Sequence, residues 1–189
     1  MRSTPPTSPD PDQLLADFRA VVEQTNTRLV RLAARILGDV REAEDVVQEA
    51  YVRAYQAMNE GRFEARSSVA TWLYRIVTRG AIDAARGRRR RERLQEAATW
   101  STTPGVADER LALRELSDWL SGLPKDQHAA LLLRAVEGFT TAEVATILEC
   151  SAGAVEQRLV RARATLRRQS AEGESGNWTK EGRSVDEPR

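Results

Sequence analysis

The chain has one cysteine, Cys150, and one histidine, His128, in 189 residues. A lone thiol closes no internal disulfide, and one Cys with one His builds no metal-ligand set. Aromatic residues make up only 5% of the chain. No apolar run is long enough to cross a bilayer, and the opening "MRSTPPTSPDPDQ" lacks the apolar segment of a secretory signal. The pattern also lacks a nucleophile-base pair and a glycine-rich phosphate loop. These absences point to a reduced, cytoplasmic protein that uses no metal or cofactor, and away from an enzyme. An excess of one charge is missing too, with 29 Lys and Arg against 28 Asp and Glu, a formal net charge of +1. Bulk attraction to a polyanion is therefore weak, and any such binding depends on where the charges sit.

What is present is helical periodicity. Ala, Leu, Arg and Glu recur throughout, and no strand alternation or internal repeat is visible. The spacing predicts an all-α protein of two small helical domains joined by a flexible linker, the second containing a helix-turn-helix. Residues 1–11, rich in Pro, Ser and Thr, are expected to be disordered. The first domain is placed at 12–94. Asp12 is a candidate cap for apolar residues at 14–22, and a second apolar stretch covers 29–37 up to Gly38. Asp39 is a candidate N-cap with Glu42 as its reciprocal partner. Val46, Val47, Ala50, Tyr51, Ala54 and Tyr55 then form an apolar stripe. Ser67 or Ser68 opens a helix holding Val69, Trp72, Leu73, Ile76 and Val77. Periodicity fails at 95–108, "QEAATWSTTPGVAD", which reads as the linker. The second domain covers 109–169, with Leu116, Trp119 and Leu120 facing its core and Pro124 opening a helix to Gly138. Short helices are expected at 141–149 and 152–168, and a disordered tail at 170–189.

Three segments carry separated charge. In the first, "TTAEVATILECSAGAVEQRLVRARATLRR", Thr140 and Glu143 form a capping box and Ser151 can cap a second helix. Val155, Leu159, Ala162 and Leu166 share one side of that helix. Glu156, Gln157, Arg158, Val160, Arg161 and Arg163 are left on the others, a pattern that suits a helix in the major groove. The competing reading is an ordinary helical pair with a solvated arginine surface. Cys150 reads as a small buried apolar residue, and His128 as a surface or interhelical one. In the second segment, "REAEDVVQEA", Glu42, Glu44, Asp45, Gln48 and Glu49 collect on one side. The helix dipole accounts for Glu42, whereas Gln48 and Glu49 lie past the first turn and suit a basic protein partner. In the third, "TWLYRIVTRGAIDAARGRRRRER", Trp72, Tyr74, Arg75 and Arg79 could hold unpaired bases, aided by Phe63 in the preceding loop. Alternatively Trp72 and Ile76 are core and the arginine run is a solvated surface.

Taken in order, "EAEDVVQEAYVRAY", then "WLYRIVTRGAIDAARGRRRR", then "LSGLPKDQHAALLLRAVEGFTTAEVATILECSAGAVEQRLVRARATLR" resembles the extracytoplasmic-function sigma factors of bacterial RNA polymerase, over roughly residues 12–169. The resemblance implies a protein that binds core RNA polymerase and directs promoter recognition, promoter melting and transcription initiation. It implies partners in promoter DNA, in the largest-subunit clamp and the flap of the polymerase, and in an anti-sigma factor, with no membrane insertion. It assigns Glu44, Asp45, Gln48 and Glu49 to the clamp. It assigns Arg62, Phe63, Trp72, Arg75, Arg79 and Arg86 to the minus-ten element, with the loop at 59–66 capturing a flipped base. Thr140, Ser151, Glu156, Gln157, Arg158, Arg161 and Arg163 fall to the minus-thirty-five element. Two positions depart from the family pattern. Arg79 stands where many members carry Asn, and Glu156 where many carry a basic residue. Two other readings are an autonomous helix-turn-helix regulator, for which no heptad seam is visible, and a helical adaptor that binds no DNA.

Overall fold

Pro11 opens the first helix, where its fixed φ and missing N–H cost nothing. The computed structural model describes residues 11–63, 67–96, 120 and 122–181, with side chains described within 18–63, 67–91, 120 and 122–171. Helix α1 (Pro11–Leu37) is continuous, so the two apolar stretches expected over 14–22 and 29–37 belong to one element. Asp12, expected at its start, lies inside its first turn. The intervening "EQTNTR" holds neither Pro nor Gly, and nothing there stops propagation once the helix has formed. Gly38, at φ 81, ends it in the left-handed region that glycine enters without penalty.

Helix α2 (Val40–Asn59) begins at Asp39, whose side chain accepts the Glu42 N–H at 2.9 Å. That bond holds the Asp39 carboxyl below its usual range. The expected reciprocal bond is replaced, because the Glu42 carboxylate accepts from Arg88 at 2.7 Å. Ala43, Val47, Ala50, Ala54 and Met58 form the buried line of α2. Val46 and Tyr51 sit half-buried on its shoulders, and Tyr55 is 47% exposed, so it leaves the stripe the spacing assigned to it. The Tyr51 hydroxyl donates to Asn26 of α1 at 3.1 Å, and burial pushes its pKa up to about 12.

Ser68 caps α3 (Val69–Glu96) by accepting the Thr71 N–H at 3.1 Å. Trp72, Leu73, Tyr74, Val77, Ala81, Ile82 and Ala85 are buried, as are Leu29, Leu32, Ala33 and Ile36 of α1. These side chains make α1–α3 one three-helix unit. Each fully buried Leu contributes about 1.5–3 kcal/mol. At Gly80, a Cβ would meet the Val46 Cγ1 of α2 at 3.1 Å, so α2 and α3 approach closely there.

A second unit is built on α4 (Lys125–Ala135), α5 (Thr141–Ile147) as far as Ala145, and α6 (Ala152–Glu181). Pro124 is the N-cap of α4, just outside the helix it was expected to open from within. The helix stops at Ala135, short of Gly138. At φ 80, Gly138 reverses the chain, and the Phe139 N–H returns to the Leu133 carbonyl at 3.1 Å. Leu123, Ala129, Ala130, Leu132 and Leu133 are buried, as are Val155, Leu159 and Ala162 of α6, which packs on α4. His128 is also buried, at 2% exposure, and is not a surface residue. Helix α6 continues through 170–181, where a disordered tail was expected. Gly173 and Gly176 each lower helix propensity by about 1 kcal/mol, but no proline ends the run. Four expectations lie wholly or partly outside the described residues: the ends at 1–10 and 182–189, the loop at 59–66 over residues 64–66, the linker beyond Glu96, and the helical start at 109–119. No strand occurs among the described residues.

Candidate functional site

Caps fix the starts of both α5 and α6. Glu143 accepts the Thr140 N–H and hydroxyl, both at 2.8 Å, while the Glu143 N–H donates to Thr140 Oγ1 at 3.3 Å. The backbone bond from Thr140, followed by the hydroxyl, holds the Glu143 carboxyl below its usual range. Glu149 turns the chain at φ 50, an uncommon conformation for a non-glycine residue. The Cys150 N–H then donates to the Ala145 carbonyl at 3.0 Å. Ser151 caps α6 by accepting the Ala154 N–H at 3.2 Å. Thr140 and Ser151 are therefore exposed residues whose oxygens already serve the helix ends.

This turn sets which face α6 presents. Val155, Leu159 and Ala162 are turned inward, while Glu156, Gln157, Val160, Arg161 and Arg163 are exposed. Arg158 departs from the expected outward face. It is half-buried, and its Nη1 lies 3.0 Å from the Sγ of Cys150. The spacing explains this, since position 158 is three residues after Val155 and four before Ala162, both inward. Cys150 is accordingly half-buried and partnered.

On α2, Glu44, Asp45, Gln48 and Glu49 are all exposed, and Glu49 accepts from Arg53 at 2.5 Å. Val52 and Tyr55, 55% and 47% exposed, continue the same face one and two turns beyond Gln48. The sequence reading passed over Val52 and placed Tyr55 in the core. The signal for both was the 3.6-residue phase, which puts Asp45, Gln48, Val52 and Tyr55 on one side and Ala43, Val47, Ala50 and Ala54 on the other.

Helix α2 ends in a tight reversal, with Gly61 at φ 66 and the Arg62 N–H donating to the Ala57 carbonyl at 2.8 Å. Arg62 is exposed and paired with Glu60. Phe63 is half-buried, its ring 4.8 Å from that of Trp72 at an interplanar angle of 46°. Trp72 is itself only 8% exposed and Tyr74 2%, so these two rings belong to the core. Arg75, Arg79 and Arg86 lie on one face of α3, the first half-buried and the other two exposed. Arg86 also pairs with Asp83 at 3.8 Å. Arg88, in the middle of the arginine run, points the other way. It donates to the Glu42 carboxylate and to the Leu37 carbonyl, one of the C-terminal carbonyls of α1. The run is thus divided between a surface row and a structural clamp.

Among the described residues no group of side chains could hold a metal ion, and no helix is long and apolar enough to cross a membrane. The site's chemistry is that of charged faces. An acidic one with an apolar extension lies on α2, and rows of arginine lie on α3 and α6.

Comparison with known proteins finds two family matches. Residues 21–91 match Sigma-70 region 2, and residues 113–166 match Sigma-70 region 4. The RNA polymerase sigma-H factor of Pseudomonas aeruginosa is 33% identical over 163 residues, which cover 79% of this chain and 83% of the relative. The ECF RNA polymerase sigma factor SigW of Bacillus subtilis is 32% identical, covering 80% of this chain and 88% of the relative. Among solved structures, CnrH in complex with the cytosolic domain of CnrY is 27% identical with a TM-score of 0.62. It covers 88% of this chain and 99% of that one. RpoE of Bartonella quintana, solved with the anti-sigma factor NepR, has a TM-score of 0.64 over 82% of this chain and 97% of that one. At 24% identity it supports the fold alone.

Proposed function

The chain belongs to the extracytoplasmic-function sigma factors of the sigma-70 family, and from that premise we propose how its residues divide the work of bringing core RNA polymerase to a promoter. As a sigma factor it binds core polymerase and promoter DNA and acts in transcription initiation. In this reading it catalyses no reaction of its own. The first working region runs over 12–94, the linker over 95–108, and the second region over 109–169.

Glu44, Asp45, Gln48 and Glu49 dock on the polymerase clamp, with Val52 and Tyr55 extending the contact. Acidic side chains beside exposed apolar ones favour a basic protein surface over a phosphate backbone, which would be repelled. Arg75, Arg79 and Arg86 hold the minus-ten region, and Arg62 and Phe63 meet a base presented at the loop. Trp72 supports Phe63 from below and does not itself reach DNA. On α6, Glu156, Gln157, Arg161 and Arg163 face the minus-thirty-five element. Ser151 positions that helix as its cap and Arg158 through Cys150, while Thr140 caps the preceding α5. A partner that holds the protein inactive, of the anti-sigma kind, completes the reading, and CnrH, solved with the cytosolic domain of CnrY bound, supports it.

The observation that carries this division is the exposure of acid on α2 and of arginine on α3 and α6, on helices whose opposite faces are buried. Asp45→Arg tests it. Asp45 is exposed and past the first turn, so circular dichroism and melting should match wild type. Capture of purified core polymerase should fall by at least about tenfold, as expected for a charge reversal at an interface. Undiminished capture would remove α2 as the docking face.

A further inference from the structure

Val160 is 63% exposed, the highest exposure of any large hydrophobic residue among the described side chains. It lies on α6, a helix whose other large apolar residues near it, Val155 and Leu159, are buried at 0% and 6%. A β-branched residue is a weaker helix former than the Arg, Gln and Ala around it, so local propensity does not call for it. Its neighbours one turn away are all exposed: Glu156 and Gln157 before it, Arg163 and Ala164 after it. Of these only Ala164 is apolar, and its methyl is too small to extend a patch. Val160 therefore forms the one large apolar point inside an arginine-flanked surface. Gly153, two turns earlier on the same side, has nothing within 4 Å of where a Cβ would stand. The fold does not need a glycine there, and its presence lets another molecule approach the start of α6 closely.

The exposed edges of the bases in a major groove are polar with one exception, the C5-methyl group of thymine. A valine at the centre of a groove-facing surface can contact that methyl but can neither donate to nor accept from any base edge. Cytosine at the same place presents only a hydrogen at C5, so the apolar contact with the methyl is lost. The arginines on either side suit the flanking phosphates, which rules in nucleic acid over an apolar protein groove. Given the role of α6 in the proposed function, on which this rests, we propose that Val160 reads a thymine methyl in the minus-thirty-five element and sets a thymine preference at one upstream position.

The methyl can be removed without touching base pairing, by replacing thymine with deoxyuridine. Holoenzyme assembled from purified core polymerase is first offered promoters randomised in the upstream element. The selected promoters should carry thymine at one position, and selection without any thymine preference overturns the proposal. Each upstream thymine is then replaced singly by deoxyuridine. Burying one methyl in an apolar contact corresponds to about a fourfold effect. One replacement should therefore lower initiation by wild type about fourfold. Val160→Ala should respond equally to thymine and deoxyuridine at that position. Indifference of wild type to every replacement overturns the proposal, as does a methyl effect that survives Val160→Ala. A uniform loss in Val160→Ala on all upstream sequences also overturns it, and assigns the residue to a protein contact. A holoenzyme that initiates from no promoter at all is a different result, which sinks the family-based reading itself.

Discussion

Neither nitrogen of the buried His128 ring finds a hydrogen-bond partner. Burial, with the like charge of Lys125 nearby, pushes its pKa down to about 4. In the unfolded chain the same group titrates near about 6.5. Between those values the unfolded state binds more protons than the folded one, so stability is present above about pH 6.5 and is lost as the pH falls towards about 4. The full shift corresponds to roughly 3 kcal/mol. His128→Leu replaces the ring with an apolar group that needs no partner. Hydrogen exchange at α4 amides should then show an opening free energy that no longer falls across that window, and that exceeds wild type at about pH 5. An unaltered acid dependence would assign the effect to other groups. Arg88 makes the opposite case, a charged residue whose value is structural. Arg88→Met keeps the aliphatic stem and removes the donors to Glu42 and Leu37, and it should cost about 1–2 kcal/mol in urea unfolding. Arg86→Met, on the surface row, should stay within about 0.5 kcal/mol of wild type. Equal costs for the two would deny Arg88 its clamp role.

At the scale of the helix, local chemistry was readable and side-chain phase was only partly so. The caps at Asp39, Ser68, Thr140 and Ser151 each hold a hydrogen bond that the sequence announces, because a cap depends on residues at most three apart. Gly38 and Gly138 likewise mark chain reversals through their own backbone freedom. What escaped depends on distant partners. Nothing near Glu42 says that its carboxylate will be taken by Arg88, 46 residues away. Arginine written in a run gives no hint that one member turns inward. Tyr55 and Arg158 were misplaced for a nearer reason, a shift of roughly one position in the phase of a helix face. The far end of α6 was read as disordered because it lacks an apolar stripe, yet a helix once started can extend without one. Deleting the chain after Ser170 tests what that extension does. Among the described side chains, the buried ones of α6 end before it, so the second unit should keep its melting behaviour and basal transcription should persist. Aggregation of the shortened protein, or failure to initiate, would show that the extension packs on something the protein needs.

For the whole molecule, a net charge of +1 conceals faces of opposite sign on different helices. A near-neutral protein is held only weakly by random DNA, because few phosphates are neutralised without guidance. The chain alone should retard promoter fragments weakly and lose that binding as salt rises, at concentrations where its complex with core polymerase still holds them. Within that complex, Arg161→Ala should lower the slope of log affinity against log salt by about one if Arg161 holds a phosphate. If it meets a guanine edge, the loss should be about 1–3 kcal/mol and confined to certain upstream sequences. An Arg161→Ala chain with wild-type strength and preference on every sequence would take this residue off the DNA.

The contact between Gly80 and Val46 has a consequence for descent. With only 3.1 Å available to a Cβ at position 80, any side chain there obliges the Val46 methyl to give by a few tenths of an ångström, which couples the two sites. A lineage that acquires a branched side chain at 80 must shift or shed bulk at 46, or let α2 and α3 separate, and with them the acidic face of α2 and the arginine row of α3. Aligned descendants of this chain's ancestor should therefore show the two positions changing together, large at one only where the other is small. Free combination of branched residues at both would mean that the spacing of these helices is not under selection.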